Sequence, residues 1–94
     1  MCPDACRETL TIVNQRGLHA RASAKFVNLV SELPEGVAVT VSKDGTEVAG
    51  GSILGLMMLG AAKGDVIEVG ASGDGAEAAL DRLSALVRDG FGES

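Results

Sequence analysis

Apolar residues recur at Leu18, Ala22, Phe26, Leu29, Val30 and Leu33, a spacing near one helical turn, with Arg21, Lys25, Asn28 and Glu32 falling between them. This pattern predicts an amphipathic helix that begins at about His19. It stops at Pro34-Glu35-Gly36, where proline cannot continue the ladder and glycine permits reversal. Ahead of it, Glu8-Thr9-Leu10-Thr11-Ile12-Val13 alternates polar and apolar residues, which predicts a half-buried strand with Leu10 and Ile12 inward. Beyond it, Val37, Val39 and Val41 share one face of a second strand, Asp44-Gly45 signals a tight turn, and Thr46-Glu47-Val48-Ala49 returns as the third. Val66 to Ala71 places Ile67, Val69 and Ala71 on one face of a fourth strand, ended by Ser72-Gly73. The stripe Ala76, Ala79, Leu80, Leu83, Leu86 and Val87 marks a last helix. Asp74 followed by Glu77 imitates a capping box at its start, and Gly90 closes it.

One short segment does not fit a single-faced pattern. Gly50-Gly51 breaks the third strand, Ser52 can cap a helix, and Gly60 ends it within two turns. Leu56 and Leu59 share one side of this helix, while Ile53, Leu54, Met57 and Met58 spread over the other. Either a loop covers the second side or an apolar patch is left for a partner, and composition leaves both open. Methionine suits a surface that meets several partners because it is unbranched and repacks easily. The resulting order is βαββαβα. Four strands and three helices, each with one apolar face, are satisfied by two layers with the helices on one side of the sheet.

Ninety-four residues, 46% of them hydrophobic, suffice for one small domain with one core. Its only aromatic residues are Phe26 and Phe91, so the core is aliphatic and base stacking has little to use. A net charge of −5 argues against nucleic acid or an anionic membrane as a general partner, although Arg16, Arg21 and Lys25 can form a local basic patch. No apolar run approaches a membrane span and the start lacks a leader pattern, so the cytoplasm is the expected compartment. Residues 1–7 read as a tail and residues 8–92 as the single domain. Cys2 and Cys6 fall in that tail and make neither a disulfide framework nor a zinc site. The end, Gly90 to Ser94, is expected to fray.

Candidate chemistry is concentrated in one place. His19 is the only histidine, and a glycine turn leads into it at the start of the first helix. Helix starts expose backbone N–H groups without helical partners and the positive end of the helix dipole, a setting that favours an anion. A histidine there can hold a phosphoryl group, or can be merely a capping or surface residue. Arg21 favours the first reading, because a guanidinium near the helix boundary can reach the same space and matches phosphate oxygens. The chain has no cluster of His, Cys and carboxylates for a metal, no GxSxG elbow and no P-loop, which argues against catalysis of a full reaction on a small substrate.

These residues also carry a family likeness. Gly17-Leu18-His19-Ala20-Arg21 resembles the active-site motif of HPr, the histidine-containing phosphocarrier of the bacterial phosphotransferase system. Gly51-Ser52-Ile53-Leu54-Gly55-Leu56-Met57-Met58-Leu59-Gly60 resembles its second signature, and Ala62-Lys63-Gly64-Asp65 with Ala71-Ser72-Gly73 is similar to the family's next segment. The resemblance runs from Glu8 to Gly92 and departs at Ala22, where the family usually has proline. Alanine is the best helix former, so the helix survives the change and only the fine geometry of the site is affected.

The resemblance implies an open-faced α/β sandwich, a four-stranded antiparallel sheet with three helices on one face. It implies a phosphoryl carrier and not an enzyme, needing no cofactor and no metal and working as a monomer. His19 would accept phosphoryl on Nδ1 from enzyme I and pass it to an enzyme IIA domain of the sugar-specific or nitrogen type. Arg21 and the backbone of Ala20 and Arg21 would hold the phosphate, and Ile53, Leu54 and Met57 would form the docking patch. Ser52 would be the target of HPr kinase, although a serine at a helix start can equally be only a cap. Two other readings stand beside the carrier: a regulatory docking module of the nitrogen or carbon branch, switched by its phosphorylation state, and a fold-only relative that makes no use of His19. Intact Arg21 and the intact second motif argue against the last.

Overall fold

The structure, a computed structural model, describes residues 5–93. Alternation and helical period translate into β1 (Ala5–Thr11), α1 (Ala20–Ser31), β2 (Ala38–Lys43), β3 (Thr46–Ala49), α2 (Ile53–Met58), β4 (Val66–Ser72) and α3 (Ala76–Arg88), followed by a short turn at Gly90–Gly92. The four strands form one antiparallel sheet in the order β1-β4-β2-β3, and the three helices lie on one face of it. Register aligns the inward rows. Leu10 stands opposite Ile67, Val39 opposite Ala71, and Val41 opposite both Val69 and Val48. Between the layers these side chains meet Phe26, Leu56, Leu80, Leu83 and Val87, all buried. Among the described residues the opposite sheet face carries no helix, and there Arg7 Nη1 of β1 pairs with Glu68 Oε1 of β4 at 2.9 Å.

The ends of the domain depart from the sequence reading. β1 begins three residues early. Ala5, Cys6 and Arg7, expected as tail, pair with Ser72, Ala71 and Gly70, because β4 runs that far and would otherwise leave its edge groups unpaired. Cys6 lies in β1 and packs against the core, so it does not sit in the tail expected; Cys2 lies outside the described residues. The capping box at Asp74 and Glu77 does not form. Gly75, with a left-handed φ of 91°, occupies the cap position of α3 instead and makes no side-chain cap bond.

The other end differs more. Gly90, Phe91 and Gly92 all hold positive φ, at 66°, 58° and 74°. For phenylalanine that conformation costs of order 1–3 kcal/mol, tolerated only where the surroundings fix it. Here full burial of the ring fixes it and offsets the cost by about 1.5–3 kcal/mol. The expected fraying is therefore replaced by a left-handed turn that drives Phe91 into the core, and Lys25 Nζ donates to the Phe91 carbonyl at 2.7 Å to hold it there.

Candidate functional site

The loop between β1 and α1 is shaped by Gly17. Its φ is 62°, and a Cβ there would sit 2.1 Å from the Ala61 carbonyl oxygen, so only glycine lets the loop come this close to the α2–β4 connection. Leu18 N–H then donates to that same carbonyl at 2.9 Å. Inside the loop, Asn14 is 4% exposed and its Nδ2 donates to the Gly17 carbonyl at 2.9 Å. The loop thus delivers His19 to a fixed position.

His19 is the N-cap of α1, and its ring takes the place of the usual cap oxygen. Nδ1 accepts the Arg21 backbone N–H at 3.3 Å, while the His19 carbonyl receives the first helical bond from Ser23 N–H at 2.9 Å. Ala20, Arg21 and Ala22 therefore precede the first helical donor, and their N–H groups have no helical carbonyl to reach. An amide N–H can only donate, so Nδ1 presents a lone pair and in the neutral ring the proton resides on Nε2. Nε2 lies 2.5 Å from Glu93 Oε2, with the two side chains 21% and 17% exposed. The other carboxylate oxygen, Oε1, accepts from Asn14 Nδ2 at 3.0 Å. The Asn14 hydrogen bond foremost, with the hydrogen bond and charge of His19 and the charge of Lys25, holds the Glu93 carboxyl below the usual carboxylate range despite its partial burial.

Arg21 is exposed and lines a shallow groove with Gln15, Arg16, Lys25, Gly92 and Glu93. Arg16, Arg21 and Lys25 form the basic patch expected from sequence, set in a chain that is acidic overall. Ala22, in the position where proline is usual in the resembling family, is fully buried in the first turn and leaves α1 intact.

α2 divides as its pattern predicts. Leu56 and Leu59 are buried, whereas Ile53, Leu54, Met57 and Met58 are 41%, 69%, 42% and 75% exposed. No segment among the described residues covers that side, so of the two possibilities the apolar patch is the one present. Met58, absent from the expected docking trio, is the most exposed of the four. Ser52 caps the helix, its Oγ accepting from Gly55 N–H at 3.0 Å.

Two residues of the site escape the sequence reading, Asn14 and Glu93. Asn14 sits just before the glycine turn with no pattern to single it out, and Glu93 falls in the stretch expected to fray. The available signal is Phe91, one of only two aromatic residues, placed between glycines that permit a sharp reversal.

A histidine held at a helix start beside a basic groove is a setting that favours an anion, in a domain of two-layer α/β class. Comparison with known proteins gives the family: the model for the PTS HPr component phosphorylation site matches residues 6–89. The chain is 45% identical over 87 residues to the phosphocarrier protein HPr of Neisseria meningitidis serogroup A, covering 93% of this chain and 96% of that one. It is 38% identical to the phosphocarrier protein NPr of Escherichia coli K12 over the same shares. The crystal structure of HPr-C-His from Thermoanaerobacter tengcongensis superposes with a TM-score of 0.88 at 38% identity, covering 95% of this chain and 98% of that one. The chain belongs to the HPr/NPr phosphocarrier family of the phosphotransferase system.

Proposed function

We propose that this chain carries a phosphoryl group on His19 Nδ1, taking it from enzyme I and giving it to an enzyme IIA domain. The observation that carries this reading is the cap geometry, in which the lone pair of Nδ1 is directed at the N-terminus of α1. When Nδ1 bonds phosphorus, its lone pair is no longer available to the Arg21 N–H. The phosphoryl oxygens take over that donor and the neighbouring Ala20 N–H, and the helix dipole favours their charge. The Arg21 guanidinium, with Arg16 in the same groove, adds positive charge where the oxygens collect. Nucleophilic histidine needs no metal for this step, so the domain serves as a carrier and its partners complete the chemistry.

Ile53, Leu54 and Met57 form the docking surface in this reading, and Met58 extends it. One chain holds both the nucleophile and the patch, so a monomer suffices. The test is mass spectrometry after incubation with enzyme I and phosphoenolpyruvate: a gain of about 80 Da, lost in His19→Ala, is expected. Absence of the gain in the native chain, or its persistence in the variant, refutes the carrier role.

A regulatory reading gains support from Ser52, whose hydroxyl borders Ile53 and Leu54 at the start of α2. A phosphate placed there by a dedicated HPr kinase brings a hydrated dianion to the edge of the apolar patch and disfavours its burial against a partner. Regulation then acts on docking and leaves the domain unchanged.

A further inference from the structure

We propose that Glu93 is a positioning residue for His19: its carboxylate, brought to the ring by the Gly90–Gly92 turn, holds the proton on Nε2 and keeps Nδ1 as the nucleophile. The proposal rests on His19 being the phosphoryl acceptor and adds a residue from the opposite end of the chain. Three contacts build the arrangement. Phe91 is fully buried in a left-handed conformation, Lys25 Nζ holds its carbonyl at 2.7 Å, and Asn14 Nδ2 holds Glu93 Oε1 at 3.0 Å. What remains is one carboxylate oxygen, Oε2, at 2.5 Å from Nε2.

Asn14 makes the pairing specific for a carboxylate. Its Nδ2 donates both to Gly17, which shapes the His19 loop, and to Glu93. A glutamine at position 93 would present one oxygen and one NH2 to two donors, and one of the two bonds would be lost. The same Asn14 therefore sets both the loop before the histidine and the group behind it.

Charge during the reaction gives the carboxylate its second role. As Nδ1 donates its lone pair to phosphorus, the bond between phosphorus and the donor's phosphohistidine nitrogen breaks and that electron pair leaves with the donor. The His19 ring then carries a positive charge while its proton stays on Nε2. Glu93 faces that charge at hydrogen-bond distance and offsets it without taking the proton. Passing the group onward reverses the change, and the electron pair returns to Nδ1.

The experiment uses the full chain with histidine labelled by 15N, in native form and as Glu93→Gln and Glu93→Ala. In the native protein the Nε2 proton is expected as a strongly hydrogen-bonded, slowly exchanging resonance, weakened in Glu93→Gln and lost in Glu93→Ala. The rate of His19 phosphorylation by enzyme I and phosphoenolpyruvate is expected to fall roughly ten- to hundredfold in Glu93→Ala, by analogy with loss of the carboxylate that orients a metal-bound histidine. Acetate added to Glu93→Ala should restore part of that rate, which a purely structural residue would not allow. Native rates in both variants overturn the proposal. So does a slow Glu93→Ala variant whose Nε2 proton is unchanged and which acetate does not rescue. If the native chain takes up no phosphoryl group the carrier reading fails, and the Nε2 resonance alone then decides whether Glu93 fixes the ring.

Discussion

Replacing Phe91 by alanine tests whether the last turn belongs to the core or merely rests on it. The ring is fully buried, and its removal should cost about 3–5 kcal/mol through lost transfer energy and the cavity left behind. Alanine gains nothing from the backbone in return, since it is strained at a φ of 58° much as phenylalanine is. Against a total stability of about 5–15 kcal/mol this is a large fraction. At roughly 4–8 °C per kcal/mol for a domain of this size, the thermal midpoint should fall by at least about 12 °C.

The same change should reach His19. With the ring gone, the strained turn keeps only polar contacts, those of Lys25, Asn14 and His19 and its own Gly92–Asp89 and Glu93–Gly90 backbone bonds, so the turn opens more readily and carries Glu93 away from Nε2. Urea denaturation followed by circular dichroism, run beside the His19 phosphorylation rate, measures both effects. A loss below about 1 kcal/mol would show that the turn is not part of the core. A large loss with an unchanged Nε2 resonance would refute the link from Phe91 through Glu93 to the histidine.

Other changes separate the remaining roles. Gly17→Ala meets both an unfavourable φ and the Ala61 carbonyl; roughly 1–2 kcal/mol for the conformation and about 1 for the displaced Leu18 bond should appear in denaturation, with slower phosphorylation as His19 shifts. Leu56→Glu puts a charge on a fully buried position and should cost more than about 3 kcal/mol, whereas Met57→Glu should change stability by less than about 0.5 kcal/mol and weaken partner binding in calorimetry. Equal stability losses in the two would mean that the faces of α2 are wrongly assigned. Ser52→Asp should slow His19 phosphorylation by enzyme I while circular dichroism stays unchanged, and rates equal to those of Ser52→Ala would reduce Ser52 to a cap. Glu93 has a folded pKa below its unfolded value, so its stabilising contribution is present above the ordinary carboxylate value of about 4.5 and is lost as pH falls through the folded value. The stability difference between native chain and Glu93→Gln should therefore shrink on acidification, and a difference that grows instead would refute the pairing.

Which features were legible in the sequence depends on the range of the interactions involved. α1, the β2–β3 hairpin and the two faces of α2 rest on periodicity and local turn chemistry, and the structure has them close to where the pattern puts them. His19 at the helix start was legible for the same reason, since a cap is a local arrangement. The start of β1 was not. Whether Ala5 to Arg7 form a strand depends on how far β4 extends, a partner about sixty residues away that local pattern does not encode. The cap of α3 failed differently. Asp74 and Glu77 have the right residue types, but the left-handed Gly75 between them starts the helix one position later than the box requires.

Glu93 shows why the site was harder to read than the fold. Two of its partners, Asn14 and His19, lie more than seventy positions away, and its position depends on a turn whose backbone is intrinsically unfavourable for one of its residues. Local propensity therefore predicts fraying, and only the ring of Phe91, by finding the one core, reverses that prediction. In an aliphatic domain with two aromatic residues, a phenylalanine between two glycines near the end of the chain has a definite physical meaning. The glycines remove the steric cost on either side of it, and the ring supplies enough buried surface to hold an arrangement that propensity opposes. The turn then places an anionic group behind the histidine, where a helix alone could offer only the backbone N–H groups in front of it. The ring stands between the backbone N–H groups at the start of the helix and the Glu93 carboxylate. The two halves of that arrangement come from opposite ends of the chain, so the site is complete only in the folded domain.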